Sequence, residues 1–390
     1  MKRGTIRDNR FRPVRGGGNK KAMTRRPGGA QRLRASFGAL FAHHREHEPH
    51  QVVLWMIVAA GLSLIAIILV AGAAGYGAIA THLRDANWYW LPFALVGAVV
   101  AHIGYVFAYR EVAHVDRGVR LGTLRAGAIV TAGFGMFFPR GGFAVDLEAL
   151  QDLGVPREEA RVRVLGLGSL EYAVLATGAC ACAILLLVDH YPAQRAVTLS
   201  WIIGVPVGTA LALLAVRYRR WLCRGRLGKP LRPALDAIAV VGMIVASPRR
   251  HGAAAFMGMT LYFAGEVFVL WVCLAVFTRD APAVTAVVVG YATGYALTRR
   301  TLPLGGAGAV EALMPFALTW VAFGLPAAVL AVFFYRIFNL WLPLGPAAAA
   351  LWALQRRPPE ASLVAGAEVG GNDGDAEPVK DARGTHHANG

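Results

Sequence analysis

The chain has 390 residues, of which 56% are hydrophobic and only 16% are charged, whereas a soluble domain carries about 25% charged residues. This composition argues against a soluble enzyme. The net charge is +17, but the excess is concentrated at the amino terminus, where residues 1–50 hold thirteen basic and three acidic residues. A basic arm on an apolar body is typical of a membrane protein, so we expect no nucleic-acid partner.

The apolar stretches predict an all-α, polytopic transmembrane helix bundle. A membrane-spanning helix needs about 20 mostly apolar residues, and eight stretches approach or exceed that length. In chain order they are Val52–Ala73, Trp88–Tyr109, Val164–Val188, Ala196–Val216, Gly252–Phe277, Pro282–Thr298, Ala309–Phe323 and Pro326–Leu354. Two shorter apolar pieces, Ala126–Phe138 and Pro233–Ala246, are predicted to be re-entrant or interfacial helices.

Basic residues predict the orientation of this bundle. An even number of spans places both termini on one side, and the predicted loops of that side hold nineteen Lys and Arg residues, against three on the other side. The positive-inside rule therefore predicts a multi-pass protein of the cytoplasmic membrane with both termini in the cytoplasm. We divide the chain into a basic, largely disordered arm (1–50), a transmembrane domain (51–355) and a disordered tail (356–390).

Four polar residues within the predicted spans are candidates for function, because charged groups are costly in hydrocarbon. They are Glu171, Glu266, Arg336 and Asn339. A charge at the bilayer centre costs about 2.5–3.5 kcal/mol on insertion scales, so each charged residue should face the bundle interior. A purely structural alternative is an ion pair between Glu266 and Arg336 that locks two helices together.

The segment 302–311, which reads LPLGGAGAVE, predicts a tight turn followed by a helix start. Pro303 cannot continue the preceding helix, the three glycines permit an exposed backbone, and Glu311 suits the positive end of the next helix. Unpaired amides beside two arginines predict an anion site that suits a lipid phosphate. The alternative is a helix-breaking loop at the cytoplasmic interface. The candidate residues are Arg299, Arg300, Pro303, Gly305, Gly306, Gly308 and Glu311.

An earlier segment, Pro139-Arg140-Gly141-Gly142, echoes Pro303-Leu304-Gly305-Gly306. Membrane transporters are often built from internal repeats whose interrupted hydrophobic segments mark the substrate site. We therefore predict an internal repeat and add Arg140, Gly141 and Gly142 to the candidate site; a chance match is the alternative.

At these residues the chain resembles the family of lysylphosphatidylglycerol synthase transmembrane regions, also described as flippase-like membrane proteins. The Pro-Gly-Gly-x-Gly-x-x-Glu turn of that family is present from Pro303 to Glu311, followed by Tyr335-Arg336 and Leu342-Pro343. A weaker similarity covers Phe138–Leu175, where only Glu171 matches the family's Glu-Arg-x-x-Asp motif.

The resemblance implies a multi-spanning body that binds or moves lipids. In the best-known members it translocates aminoacylated phosphatidylglycerol, and a large soluble domain transfers lysine from charged tRNA. Only about thirty-five residues follow the last predicted span here, so we expect no catalytic domain and no synthase activity.

Three functions are compatible with the sequence. The first is a flippase-like transporter of an anionic phospholipid or a lipid-linked glycan, in which Glu171 and Glu266 select a positive head-group moiety or carry a proton. The second is a membrane-embedded transferase acting on a polyprenyl-phosphate or phospholipid substrate, with Asp146 and Glu148 as metal ligands. The third is a scaffold that recruits a partner through its basic arm. We expect membrane lipids as partners and no cofactor or metal, and a homo-oligomer remains open.

Overall fold

The computed structural model describes residues 49–114, 119–134, 141–223, 228–246, 249–297 and 306–356. The predicted arm and tail lie almost wholly outside these ranges. The described regular elements are helical, and the α-helices are α1 (Pro49–Ala74), α2 (Tyr76–Arg84), α3 (Leu91–His114), α4 (Thr123–Phe134), α5 (Gly141–Asp152), α6 (Arg157–Val188), α7 (Arg195–Arg217), α8 (Arg219–Leu222), α9 (Gly228–Ala246), α10 (Arg249–Phe277), α11 (Val284–Leu297), α12 (Ala309–Thr319), α13 (Leu325–Arg336) and α14 (Leu344–Arg356).

The prediction of an all-α polytopic bundle is confirmed. Within the described ranges, six helical stretches are long and apolar enough to cross a membrane: Leu54–Ala74, Trp88–His114, Arg157–Val188, Arg195–Arg217, Gly252–Phe277 and Leu325–Ala350. The two other predicted spans are the 14-residue α11 and the 11-residue α12. At 1.5 Å per residue they reach about 21 and 17 Å, which is less than the hydrocarbon thickness of about 30 Å.

Four connecting segments define one side of the bundle, which we call the far face; they are residues 85–90, 189–194, 278–283 and 320–324. The Asn87 amide donates to the Val276 carbonyl at 2.8 Å. The Gln194 amide donates to the Trp320 carbonyl, also at 2.8 Å. A small apolar cluster joins the end of α6 and the start of α7 to the start of α11 and to Val321, which follows α12. The opposite side, the near face, carries the starts of α1, α6 and α10 and the ends of α3, α7 and α14.

Helices α3 and α10 form the closest pair in the bundle. Their contact is lined by glycines, since a Cβ at Gly104 would lie 2.4 Å from the backbone nitrogen of Tyr262, and one at Gly265 would lie 2.5 Å from that of Ala101. Gly97 likewise faces Gly265, so the two helices are antiparallel. Small residues let helix backbones approach closely and gain dispersion energy where lipid offers no hydrophobic drive.

Helices α11 and α12 form an antiparallel hairpin that enters and leaves on the far face. Gly290 of α11 packs against Leu318, and Gly294 packs against Met314, deeper in the hairpin. The deep end reaches the middle of the bundle, because Gly308 packs against Leu62 of α1, which lies near the centre of the span Leu54–Ala74. The two short helices are therefore a re-entrant pair. Residues 298–305, which connect them, lie outside the described residues.

Helices α4 and α5 form a second hairpin, which opens toward the near face. Residues 135–140 lie outside the described ranges. Helix α4 reaches the middle of α3, where Thr131 and His102 form a 2.9 Å hydrogen bond. The apolar piece Ala126–Phe138 thus corresponds to the first arm of a re-entrant pair. The other short apolar piece, Pro233–Ala246, is part of α9, which packs along α6.

The order of elements is the same in two parts of the chain. A long helix, a two-helix hairpin and a second long stretch occur as α3, α4–α5, α6 and again as α10, α11–α12, α13–α14. The first hairpin opens to the near face and the second to the far face, so the two units have inverted topology. Such inverted repeats are common in transporters that bind substrate near the bilayer midplane.

The six crossings keep both ends of the described bundle on the near face. Arg140, Arg299 and Arg300, which the sequence assigns to the loops of that side, lie outside the described residues. That the near face is cytoplasmic stays the prediction of the positive-inside rule.

Candidate functional site

The deep end of the far-face hairpin contains a buried ion pair. Glu311 accepts a hydrogen bond at Oε1 from Nε of Arg336, at 2.9 Å, and another at the same oxygen from the Ser63 hydroxyl, also at 2.9 Å. The side chains of Glu311 and Arg336 are only 1% and 5% exposed. Ser63 and Arg336 lie near the middle of the spans Leu54–Ala74 and Leu325–Ala350. We call Ser63, Gly308, Glu311 and Arg336 the hairpin junction.

The local sequence explains why Glu311 occupies this position. Glu311 is the third residue of α12, and its Oε2 accepts a 2.9 Å hydrogen bond from the amide of Gly308, which caps the helix. Gly306 and Gly308 have φ values of +70° and +82°, a left-handed conformation that glycine adopts at least cost. The turn therefore orients a carboxylate over its own helix start, where the helix dipole favours negative charge.

A second buried carboxylate, Glu266, lies in the middle of α10. Its Oε2 accepts hydrogen bonds from the Tyr335 hydroxyl at 2.5 Å and from the Asn339 amide at 2.6 Å. Asn339 belongs to a π-helical turn, Ile337–Trp341, and such turns are frequent at functional sites. Tyr335 of α13 and Asn339 of the turn that follows it thus bring two neutral donors to Glu266.

A third buried carboxylate, Glu171, lies in the middle of α6. Its two oxygens accept hydrogen bonds from the hydroxyls of Tyr105, at 3.0 Å, and Tyr295, at 3.1 Å. Tyr105 belongs to α3, and Tyr295 lies at the deep end of α11. Glu171 therefore connects the first repeat unit to the far-face hairpin of the second.

Tyrosines occupy the space between Glu171 and Glu266. Tyr295, which binds Glu171, stacks on Tyr291 with ring centroids 5.7 Å apart. Tyr291 contacts Tyr335, which binds Glu266, at a centroid distance of 6.2 Å. The two carboxylates thus lie at the ends of one buried aromatic group contributed by α11 and α13.

The two repeat units use the same pair of residue types in exchanged positions. In the first unit a tyrosine of the first long helix, Tyr105, binds a glutamate of the last one, Glu171. In the second unit the glutamate, Glu266, lies on the first long helix and the tyrosine, Tyr335, on the last. In each unit, therefore, a tyrosine–glutamate hydrogen bond joins the first long helix to the last.

The structure brings together many of the residues that the sequence selects. Glu171, Glu266, Gly306, Gly308, Glu311, Arg336 and Asn339 all lie in or beside this buried region. Gly141 and Gly142 begin α5, in the near-face hairpin. Arg140, Arg299, Arg300, Pro303 and Gly305 lie outside the described residues.

Sequence reasoning missed the neutral partners of the three carboxylates. Ser63, Tyr105 and Tyr295 are uncharged, so a search for ionisable residues in apolar spans passes over them. A polar hydroxyl within a long apolar run is the signal that would have selected them, since such a group needs a partner in hydrocarbon.

The transferase alternative assigns Asp146 and Glu148 of α5 as metal ligands. Asp146 of α5 is buried rather than facing solvent, and Asp152 ends the same helix. Burial raises the pKa of Asp152 to about 7, with repulsion from Glu148 adding to the rise and attraction from Arg125 opposing it. In the described part of the chain, no three His, Cys, Asp or Glu side chains are grouped as a metal site would require.

A groove of about 420 Å³ opens on the far-face half of the bundle, between α7 and the far-face hairpin. The indole of Trp201 donates a 2.9 Å hydrogen bond to the Thr293 hydroxyl across it. Its lining is Gln194, Ala196, Val197, Ser200, Trp201, Thr293, Ala296 and Trp320. None of the apolar core of α7, which forms one wall of this groove, is buried inside the bundle.

Comparison with known proteins agrees with this architecture. The profile of the family described as "Lysylphosphatidylglycerol synthase TM region" matches residues 56–347, which is well over half of the chain and covers the first repeat unit and most of the second. No curated protein gives a significant match.

Proposed function

We infer that this chain, which belongs to the lysylphosphatidylglycerol synthase transmembrane-region family, binds the head group of an anionic lipid at the hairpin junction and moves that lipid between leaflets. The family and the six long apolar helices indicate a multi-pass membrane protein concerned with lipids. The chemical class of the lipid and its movement are our proposal.

The observation that carries the proposal is the buried pair of Glu311 and Arg336 at mid-depth. A charged residue in this position is expensive and is usually retained for function. Guanidinium groups carry five N–H donors in a planar fork that suits phosphate, and Glu311 engages Arg336 through Nε. Glu311 is a counterion of Arg336 when no lipid is bound, and an anionic head group would act as a second counterion of the same guanidinium.

The inverted hairpins supply a means of movement. Substrate sites of inverted-repeat transporters lie near the midplane, at interrupted helices, and are exposed to each side in turn as one unit moves against the other. Here the hairpin junction is at an interrupted helix, and the groove beside Trp201 gives the far-face leaflet a lateral approach to the same hairpin. Acyl chains would stay in the bilayer beside α7 while the head group passes through the bundle.

A leaflet-resolved assay tests this function. The purified protein is reconstituted in vesicles with fluorescent anionic phospholipids or a polyprenyl-phosphate-linked sugar in one leaflet, and transbilayer movement is followed by quenching from outside. We expect the wild type to accelerate movement of at least one of these lipids. Because a lost hydrogen bond to a charged group costs about 1.5–3 kcal/mol, Arg336→Ala should lower the rate by about tenfold or more.

The matched control is Arg195→Ala, which removes an exposed arginine at the far-face start of α7 and should leave the rate nearly unchanged. Equal rates in vesicles with and without protein, across the whole lipid panel, would refute the proposed function. A rate that falls equally in Arg336→Ala and Arg195→Ala would refute the role of the hairpin junction.

A further inference from the structure

The near-face end of α7 carries exposed basic and aromatic side chains that the hairpin junction does not use. Arg217 and Arg219 are exposed, and Tyr218 and Trp221 are 58% and 71% exposed. Tyr218 follows α7 directly and precedes the four-residue α8. We call Arg217, Tyr218, Arg219 and Trp221 the basic patch.

The length of α7 places the basic patch at the level of the lipid head groups. The helix has 23 residues, which at 1.5 Å per residue reach about 34 Å, slightly more than the hydrocarbon thickness of about 30 Å. None of the apolar core of α7 is buried inside the bundle, so we expect lipids to reach its near-face end from the side. Phenol and indole rings prefer this boundary, where one end of the ring is in apolar surroundings and the other is wet.

The described part of the chain supplies no counterion to the basic patch. Residues 217–226 contain five arginines and no acidic residue, and neither Arg217 nor Arg219 forms an ion pair with a described residue. Helix α9 packs against α8, but its Asp236 is paired with Arg232 at 3.8 Å. The basic patch therefore suits an anion that comes from outside the described bundle.

We propose that the basic patch binds the head group of an anionic phospholipid in the near-face leaflet, as a second lipid site separate from the hairpin junction. The two guanidinium groups donate to phosphate oxygens, since their planar N–H donors match the geometry of a phosphate. The rings of Tyr218 and Trp221 lie beside the head group and hold the end of α7 at this depth. Each arginine close to an anionic membrane surface should raise the affinity about fivefold. This inference goes beyond the proposed function, because it depends neither on Arg336 nor on lipid movement.

A photoreactive side chain at position 218 tests which molecule occupies the basic patch. Tyr218→p-benzoylphenylalanine is introduced into the full-length chain, which is reconstituted at low salt in vesicles of phosphatidylcholine with a minor share of phosphatidylglycerol. After illumination, the adducts are identified by mass spectrometry. We expect phosphatidylglycerol to be enriched among the adducts at least about tenfold over its share of the vesicle, and added salt should lower this enrichment because it screens exposed charges. The measurement is made in the bilayer, because lipid at such an exposed site should exchange for detergent on extraction.

Substitutions in this labelled protein identify the groups that select the lipid. Arg217→Gln and Arg219→Gln should each lower the enrichment about fivefold. Arg195→Gln is the matched control, since it removes an exposed arginine at the other end of the same helix and should leave the enrichment unchanged. Trp221→Ala should reduce both lipid adducts alike and leave their ratio unchanged, because an indole ring at this depth does not distinguish the charges of the two head groups.

Three results would overturn the proposal. The first is adduct formation by the two lipids in proportion to their shares of the vesicle, and the second is cross-linking to another part of the chain in place of lipid. The third is an enrichment that falls as much in Arg195→Gln as in Arg217→Gln.

Arg336→Ala distinguishes this site from the proposed function. Enrichment at position 218 that survives Arg336→Ala supports a separate site, and it does so even if no lipid moves between leaflets in any vesicle. Enrichment that is lost in Arg336→Ala would show that the basic patch depends on the hairpin junction, and it would overturn a separate site.

Discussion

The ion pair between Glu311 and Arg336 makes a quantitative prediction about stability. With side chains only 1% and 5% exposed, the pair belongs to the buried class, in which removal of one partner costs about 3–5 kcal/mol because the other charge is left without its counterion. Arg336→Met should therefore lower the free energy of unfolding by that amount. Glu311→Gln should also be destabilising, since it leaves Arg336 charged and buried.

A double variant measures the interaction energy between Glu311 and Arg336 separately from the contacts that each residue makes with its other neighbours. Arg336→Met combined with Glu311→Gln removes both charges, so its cost should be smaller than the sum of the single costs, with an interaction energy of about 2–3 kcal/mol. The assay is equilibrium unfolding in mixed micelles with increasing SDS, followed by circular dichroism.

An exposed ion pair serves as the control. Arg232 and Asp236 lie four residues apart on α9, with side chains 74% and 29% exposed and their charged atoms 3.8 Å apart. Arg232→Met should cost no more than about 0.5 kcal/mol. The reasoning is refuted if Arg336→Met costs no more than Arg232→Met, or if the two single costs at the hairpin junction simply add.

Three further predictions concern the packing and charge of the bundle. Gly104→Ala places a Cβ 2.4 Å from the Tyr262 nitrogen and should cost about 1–3 kcal/mol in the same unfolding assay, whereas Gly178→Ala, at an open helical position, should be neutral or stabilising by up to about 1 kcal/mol. Gly308→Ala forces a side chain into φ +82° and should cost about 1–2 kcal/mol. The pKa of Asp152 is raised to about 7, so the unfolded chain ionises first as pH rises, and the wild type should lose stability between about pH 4 and pH 7. Asp152→Asn should show a smaller loss over that range in thermal unfolding measured at both ends.

The fold class followed from the sequence because apolar length is a sufficient signal for a helix that must satisfy its backbone internally. The re-entrant nature of α11 and α12 did not follow. Pro282–Thr298 and Ala309–Phe323 are nearly long enough to span, and hydropathy does not record whether a helix turns back at mid-depth. The antiparallel contacts of Gly290 and Gly294 with α12 decide this, and they depend on tertiary packing.

The site was predictable to the extent that it is charged. Glu171, Glu266 and Arg336 were selected because ionisable groups are rare in apolar helices, and Glu311 was selected because it follows a glycine-rich turn at a helix start. Their pairing was not predictable, since a residue pattern does not say which of three acids faces Arg336. Glu311 pairs with Arg336 because the turn at Gly308 orients that carboxylate toward α13.

The most direct test of a lipid head-group site at the hairpin junction is lipid analysis of the purified protein. Wild-type protein, Arg336→Ala and Arg195→Ala are extracted under identical mild conditions, and the bound lipids are identified by mass spectrometry. We predict that an anionic lipid is enriched over its share of the membrane in the wild type and in Arg195→Ala, and that Arg336→Ala loses this enrichment. The same lipid profile in all three proteins would contradict the account.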